Sequence, residues 1–260
     1  MRNIMTIFNR DFKSYFISPI AYVVIALFLV LTGIIFFLLT SSFLQYSAQL
    51  QWQAARFQQT PPPINVNQMI LRPMLQNMSV FTLFFIPMIT MRSFSEDKRS
   101  GTMELLMTSP ATTMQIVLGK FLSAFCLYAI MVLTTFVYPL VIIGFGNPDV
   151  TPIFTAYAGI LFLGAASIGI GVWISAMTEN QIIAAVGTLV SLLFLWFVGW
   201  FSMISTSFLG DFFRYMSIFE HFEDFSKGVF DSGHIVYYLS LCGIMLFLSH
   251  QWIESLKWRS

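Results

Sequence analysis

The chain has 260 residues and a formal net charge of +1; 57% of its residues are hydrophobic and only 10% are charged. Soluble domains contain about 45–50% apolar residues, so this composition excludes an ordinary soluble protein and indicates a membrane protein. The near-zero charge, without a basic patch interleaved with aromatic residues, gives no indication of nucleic-acid binding.

Six apolar windows are long enough to cross a membrane. A bilayer core about 30 Å thick needs about 20 apolar residues in a helix. The windows are 20–39, 74–91, 116–145, 153–177, 182–203 and 235–253. The second is the shortest and contains Gln76, Asn77 and Pro87. We predict an all-α membrane protein in which residues 1–260 form a single domain of six transmembrane helices.

Residues 1–19, before the first window, have an amphipathic pattern. The apolar residues recur at helical spacing and polar residues lie on the opposite side. The apolar set is Ile4, Ile7, Phe8, Phe12, Tyr15 and Phe16, and the polar set is Asn9, Arg10, Lys13 and Ser14. This pattern predicts a helix in the plane of the membrane interface, which serves either as an anchor or as a transmitter of motion.

Residues 41–73 have a different character. They are rich in Gln and contain Pro61-Pro62-Pro63. Proline interrupts a helix because it lacks the backbone N–H. We therefore predict an external loop between the first and second windows.

A dense charge cluster lies between the second and third windows. It holds Glu96, Asp97, Lys98, Arg99 and Glu104 in a chain that is otherwise poor in charge. An apolar side for a helix comes from Phe94, Met103, Leu106 and Met107, and Pro110 limits the helix at its end. We predict a short, compact cytoplasmic helix within a coupling segment 92–112, which can seat in a groove of a partner protein. The alternative is that these charges only solvate a loop and fix the topology.

Small residues mark the fourth window, which a tight turn at 178–181 joins to the fifth. Ala165 and Gly169, and likewise Ser167 and Gly171, are four residues apart. Such pairs allow helices to approach closely. We favour packing within the chain over a seam between two copies.

The segment 206–234 mixes aromatic and charged residues. Irregular backbone exposed to lipid is not tolerated in the membrane core, so we predict short re-entrant helices that cap the external end of the pathway. The alternative is an amphipathic loop that rests on the lipid surface. The residues predicted to form an external gate are Phe212, Phe213, Phe219 and Phe222.

Several chemistries have no support in the sequence. No Gly-x-x-x-x-Gly-Lys-[Ser/Thr], His-Glu-x-x-His or Gly-x-Ser-x-Gly motif occurs, and no ionisable residue lies in the middle of a window. Ion-driven transport is therefore disfavoured. Cys126 and Cys242 fall inside windows, and His221, His234 and His250 share no ligand spacing. We predict no enzymatic activity, no metal site and no cofactor in this chain, so any energy enters from another subunit.

The distribution of basic residues predicts the orientation. With six spans both termini share one side, which then carries nine of the 13 basic residues and leaves four on the other. The nine are Arg2, Arg10, Lys13, Arg92, Lys98, Arg99, Lys120, Lys257 and Arg259; the four are Arg56, Arg72, Arg214 and Lys227. Because positive charge favours the cytoplasmic side, both termini are expected there.

The charge cluster and its flanks resemble the type 2 ABC transporter permeases. The matching segments are 89–92, 96–106, 108–110 and 116–120, with an acidic-basic cluster, Gly-Thr-x-Glu-x-Leu, a Ser-Pro break and Gly119-Lys120 at the third span. Segment 219–228, followed by 236–240, is similar to the gliding-motility-type branch of that family.

This resemblance implies a multi-pass permease of the bacterial inner membrane. Its implied partners are a cytoplasmic ABC ATPase, which binds ATP and Mg²⁺, and a second permease copy or a paralogue. A periplasmic or membrane auxiliary subunit is a further candidate partner. The implied ATPase-coupling residues are Phe94, Glu96, Asp97, Lys98, Arg99, Gly101, Thr102, Glu104 and Leu105. The alternative is a scaffold or channel-like subunit of a motility or assembly complex, and no substrate is indicated.

Overall fold

The computed structural model describes residues 2–58, 60, 64–146, 148–204 and 208–257, and these ranges contain helices and no strand. A five-residue π-helical turn, Asn67–Leu71, precedes the third helix. The helices are α1 Arg2–Ile17, α2 Ile20–Phe57, α3 Arg72–Thr90, α4 Ser95–Arg99, α5 Thr102–Thr108, α6 Thr113–Thr134, α7 Val137–Phe145, α8 Thr151–Met177, α9 Gln181–Ile204, α10 Phe208–Met216, α11 Ile218–Ser226 and α12 Ser232–Lys257.

Six helical segments of the described chain are long and apolar enough to cross a membrane. They correspond to α2, to the segment Asn67–Arg99 with the π-helical turn, α3 and α4, to α6 with α7, and to α8, α9 and α12. The predicted all-α, six-span architecture is therefore confirmed. The tight turn predicted at 178–181 is also present, because only three residues separate α8 from α9.

The first span corrects the prediction of an external loop at 41–73. Helix α2 continues to Phe57, and helical structure resumes at the π-helical turn. Residues 41–57 contain no glycine or proline and are rich in Gln, Ala and Leu, which are good helix formers. The 38-residue helix is about 57 Å long at 1.5 Å per residue, well beyond the bilayer core. Pro61-Pro62-Pro63 lies outside the described residues.

The third span was predicted as one continuous helix, but the structure divides it into two. Helix α6 ends at Thr134, and α7 begins at Val137. The Thr135 hydroxyl donates to the Val132 carbonyl at 2.6 Å, and Pro139 cannot donate to the Thr135 carbonyl four residues earlier. These two local effects interrupt the helical hydrogen bonding within the span.

Helix α8 is the centre of the bundle and packs against α3, α6, α9, α11 and α12. A Cβ atom on Gly171 would lie 2.2 Å from the Thr90 Oγ1 atom, and one on Gly169 would lie 3.5 Å from the Cys242 backbone. The small residues of this span thus permit close contact with α3 and α12. The prediction that they serve packing within the chain is confirmed.

The two predicted segments outside the spans are helical. In α1 the predicted apolar side is turned inward, with Ile7 and Tyr15 buried, while Arg10 and Lys13 are exposed. Helices α10 and α11 occupy most of segment 206–234, whose first two residues lie outside the described residues. Their re-entrant placement in the membrane stays a prediction.

Candidate functional site

The charge cluster of 92–112 folds as two short helices instead of the single helix predicted. Helix α4 ends at Arg99 and α5 begins at Thr102. Between them Gly101 has φ +72°, a left-handed conformation that residues with a side chain rarely adopt. The break directs α4 and α5 differently, so the cluster offers two helical faces.

The start of α4 is fastened to the end of α8. The Ser175 hydroxyl accepts from the backbone N–H groups of Phe94 (3.0 Å) and Ser95 (3.2 Å), and Ser95 Oγ donates to the Ser175 carbonyl at 3.1 Å. Lys98 Nζ donates to the Ala176 carbonyl at 2.5 Å. A helix C-terminus has unpaired carbonyls and a partial negative charge. These contacts therefore satisfy the end of α8 and the beginning of α4 together.

A buried lysine joins α4 to two further helices. Lys120, on α6, is only 3% exposed, and its ammonium group forms an ion pair with the Asp97 carboxylate of α4. The same group lies 3.0 Å from Asp11 Oδ2 on α1. Arg10 pairs with Asp11 at 2.7 Å and with Asp97 at 3.5 Å. Two cations and two carboxylates thus compensate one another, as burial of charge requires.

The electrostatics of Asp97 follow from these contacts. Burial alone would raise the pKa of Asp97, but the Lys120 charge and the hydrogen bonds from Lys120 and Thr102, together with Arg10, hold that pKa below its ordinary value. The Thr102 hydroxyl donates to Asp97 Oδ1 at 2.9 Å and so connects α5 to the same carboxylate. Asp97 is therefore charged at neutral pH and is the centre of the cluster.

Helix α1 is held directly against the start of α6. A Cβ atom on Gly119 would lie 2.8 Å from the Ile7 Cγ2 atom, so only glycine permits this approach. Asn3 Nδ2 donates to Gln115 Oε1 at 3.2 Å, and the Tyr15 hydroxyl donates to the Ile89 carbonyl at 3.0 Å. Helix α1 is thus packed against both the second and the third span.

The structure separates the predicted coupling residues into an outward face and an inward set. The outward face, as we call it below, consists of Glu96, Arg99, Gly101, Glu104 and Leu105, and all five are exposed. Leu105 is 72% exposed. This face is available for contact with another molecule.

The inward set comprises Phe94, Asp97, Lys98 and Thr102. Phe94 is fully buried, and the other three are partly buried in the contacts described above. Sequence reasoning missed Asp11 and Ser175, which carried no signal, whereas Lys120 stood in the quoted Gly119-Lys120 motif. The inward set positions the outward face.

The predicted external gate residues are not brought together in one chain. Phe222 is 2% exposed and belongs to the core, whereas Phe212 is 52% exposed. The Phe213 ring is tilted against that of Phe201, 6.3 Å between centroids, and meets that of Phe212 edge to face at 5.9 Å. Phe219 lies instead near Trp196 of α9, 6.1 Å between centroids.

A histidine pair that sequence spacing did not reveal joins α11 to α12. His221 Nδ1 lies 2.7 Å from His234 Nδ1, and His234 Nε2 lies 3.1 Å from Asp224 Oδ2. His221 Nε2 lies 2.9 Å from the Tyr215 carbonyl, which can only accept. His221 therefore donates there and accepts from His234, so His234 donates to both neighbours only when it carries two protons.

A comparison with protein families gives one match that spans most of the chain. The sequence model of the family described as ABC-2 family transporter protein matches residues 5–249. This range includes the charge cluster, the helices α10 and α11, five of the six candidate spans in full and most of the sixth. No curated protein matches the chain.

Proposed function

We propose a function that starts from the family: the chain belongs to the ABC-2 family of transporter proteins and is a transmembrane component of an ABC transporter. We propose that it is the permease subunit into which a separate cytoplasmic ATPase, holding ATP and Mg²⁺, delivers force through the α4–α5 region. In this proposal the transporter lies in the bacterial inner membrane and contains either two copies of this chain or this chain and a paralogue. Both termini of the chain lie in the cytoplasm. A periplasmic or membrane auxiliary subunit is a further proposed partner.

The observation that carries the proposal is the outward face. Glu96, Arg99 and Glu104 present both signs of charge beside the exposed side chain of Leu105. Interfaces commonly combine an apolar anchor with charged groups at the rim, and the charges steer the partner into register. An apolar groove between α1 and α5, about 250 Å³ in volume and lined by Ile7, Leu106, Pro110 and Ala111 among others, extends the same surface.

The contacts behind the outward face support its role in transmitting motion. Ser175 and Lys98 connect α4 to α8, and Lys120 connects it to α6 and α1. Because packed interiors deform little, a displacement of α4 and α5 would move the cytoplasmic ends of these helices together. Helix α8 would carry that displacement to α3, α11 and α12 at the other end.

The finer assignments are parts of the same proposal. The gliding-motility-type branch rests only on the segments quoted from the sequence, and we retain transport as the function in preference to a scaffold role. For the external gate, Phe212 is the exposed member, so we propose that gating contacts with a second copy involve α10. The substrate stays open.

The test is co-purification of the ATPase with variants of the outward face. In the double variant Glu96→Lys and Arg99→Glu, and in Leu105→Asp, we expect at least a tenfold loss of ATPase recovered with the permease. Membrane insertion and the melting temperature should stay unchanged, because these side chains are exposed. Lys13→Glu, an exposed charge reversal on α1, is the matched control and should retain the ATPase.

Two results would contradict the proposal. Undiminished ATPase recovery and turnover in both outward-face variants would show that docking occurs elsewhere. Loss of the ATPase in Lys13→Glu to the same extent would show that general surface charge, and no particular face, governs binding.

A further inference from the structure

A second cavity lies at the external end, between α3, α9 and α11. Its volume is about 210 Å³, which is below the roughly 300–1,000 Å³ of pockets that hold drug-sized ligands. The cavity therefore suits a small molecule or a headgroup. Its lining includes Trp196, Trp200, Phe219, Glu220, Ser79 and Ser217.

Three aromatic residues line this cavity. The ring centroid of Trp196 lies 5.6 Å from that of Trp200 and 6.1 Å from that of Phe219, with interplanar angles of 60° and 56°. Trp196 is therefore tilted relative to both of its neighbours, and all three rings belong to residues that line the cavity. A cation over the face of Trp, within about 6 Å of the centroid, is attracted by the ring quadrupole.

Two carboxylates also line the cavity, and the described part of the lining contains no lysine or arginine. Glu223 is already paired with Arg72 at 3.2 Å and with Lys227 at 3.0 Å, so Glu220 is the carboxylate that can serve a bound cation. Glu220 is 3.5 Å from Arg214, whose side chain is 69% exposed. An ion pair with so exposed a partner is weak and exchangeable, so Glu220 can take another cation.

A buried hydroxyl supplies an independent observation. Ser217 is 1% exposed and lines the cavity, and its Oγ atom has no hydrogen-bond partner among the described residues. Buried polar groups normally have a partner, so this hydroxyl is available to a molecule that enters the cavity. A Cβ atom on Gly199 would lie 2.7 Å from this Oγ atom, so α9 approaches the hydroxyl closely.

We propose that this cavity binds an organic ammonium group. The tryptophan faces stabilise the cation and its alkyl substituents, Glu220 provides the counter-charge, and the Ser217 hydroxyl accepts or donates a hydrogen bond. The group belongs either to an aminophospholipid headgroup at the outer surface or to a free amine. This binding does not depend on the ATPase, so it stands apart from the function proposed above.

The experiment uses the full-length chain in nanodiscs of phosphatidylglycerol and titrates choline by calorimetry. The neutral isostere 3,3-dimethyl-1-butanol is titrated in parallel. We expect saturable choline binding and at least tenfold weaker binding of the alcohol. Trp200→Leu and Glu220→Gln should each weaken choline binding about tenfold. Asp211→Asn removes an exposed carboxylate from the same external region outside the cavity lining and should leave the affinity unchanged.

A second set of nanodiscs identifies the source of the group. Adding phosphatidylethanolamine should lower the apparent choline affinity if a lipid headgroup occupies the cavity, and should leave it unchanged if the ligand is a free amine. Either result supports the proposal when choline binds and the cavity variants weaken it. Absent binding, equal binding of the alcohol, or equal effects of Glu220→Gln and Asp211→Asn would overturn it.

Discussion

The two ends of the molecule both carry charge, but they hold it in opposite ways. At the α4 end, Lys120 is 3% exposed and is enclosed by two carboxylates. At the α11 end, Lys227 also contacts two carboxylates, Glu223 at 3.0 Å and Asp224 at 3.3 Å, yet its side chain is 41% exposed. A lysine between two carboxylates therefore connects helices rigidly at the α4 end, where it is buried. At the α11 end the same combination is exposed to water and can rearrange.

The difference follows from the cost of removing charge from water. A buried ion that loses its partner keeps the full desolvation penalty, whereas an exposed ion recovers hydration. We therefore expect the α4 end to move as a unit and the α11 end to exchange partners. Five predictions test this contrast.

The largest effect is expected in the accessibility of the two ends to a reagent outside the cell, because in the proposed topology they lie on opposite sides of the membrane. Single cysteines are introduced at Ser100 and at Ser232, both exposed, in a chain whose Cys126 and Cys242 are replaced by alanine. An impermeant thiol reagent added to intact cells should label only the cysteine at 232. Labelling of both positions from outside would contradict the six-span orientation.

Removal of the buried lysine should have the next largest effect. Lys120→Ala leaves Asp11 and Asp97 close together with only Arg10 to compensate them. Breaking a buried ion pair in this way costs about 3–5 kcal/mol. Thermal unfolding of the purified chain in detergent should show a corresponding loss of stability. A change of less than about 1 kcal/mol would mean that water reaches this cluster.

The third prediction concerns the joint between α8 and α4. Ser175→Ala removes the acceptor of two buried backbone N–H groups, those of Phe94 and Ser95. Each unpaired buried donor costs about 1–3 kcal/mol. We expect the stability of the variant to fall by an amount near the lower end of this range, because the segment can shift to find other partners. Ser191→Ala is the control, since that hydroxyl bonds only within α9. Equal melting temperatures for the two variants would refute the joint.

How far the sequence predicts this molecule depends on the range of the interactions. The six spans follow from apolar length, which is local, and the amphipathic pattern of α1 is equally local. The helical extension of α2 to Phe57 was missed because the Gln-rich composition and the later prolines outweighed the good helix formers. The interruption at Thr135 was missed although Pro139 was visible.

The candidate site shows the limit more clearly. Asp11 and Lys120 are 109 residues apart, and Ser95 and Ser175 are 80 apart. Nothing in a single sequence pairs them. The charge cluster itself was recognised from the sequence. Which of its members face outward depends on the backbone conformation at Gly101 and on the packing of α4 against α8, and the sequence pattern specifies neither.

The fourth prediction concerns acid. Burial, above all, lowers the pKa of His221, with His234 acting in the same direction and the Tyr215 carbonyl and Asp224 opposing it. Because the folded pKa lies below the ordinary 6.5, the unfolded chain binds the proton more readily, and stability falls as pH drops through about 6.5. The groups that face His221 are His234, Asp224, Tyr215, Tyr237 and Tyr238.

This acid sensitivity can be measured as a melting temperature that decreases between pH 7 and pH 5. Replacement His221→Asn removes the titrating group and should flatten that dependence. We expect the change to be smaller than the effect of Ser175→Ala, because only one partly solvated cluster is involved. A pH dependence that persists unchanged in His221→Asn would assign it to other residues.

The smallest effect is expected at the exposed lysine. In Lys227→Ala, Glu223 keeps its contact with Arg72 at 3.2 Å and Asp224 keeps His234 at 3.1 Å. Exposed ion pairs contribute about 0–1 kcal/mol, so the loss of stability should be within that range and should shrink further at high salt. Unfolding of Lys227→Ala and Lys120→Ala under identical conditions compares two lysines that each contact two carboxylates. If the two losses were equal, burial would not be the property that distinguishes the two ends, and the rigid coupling inferred for the α4 end would lose its physical basis.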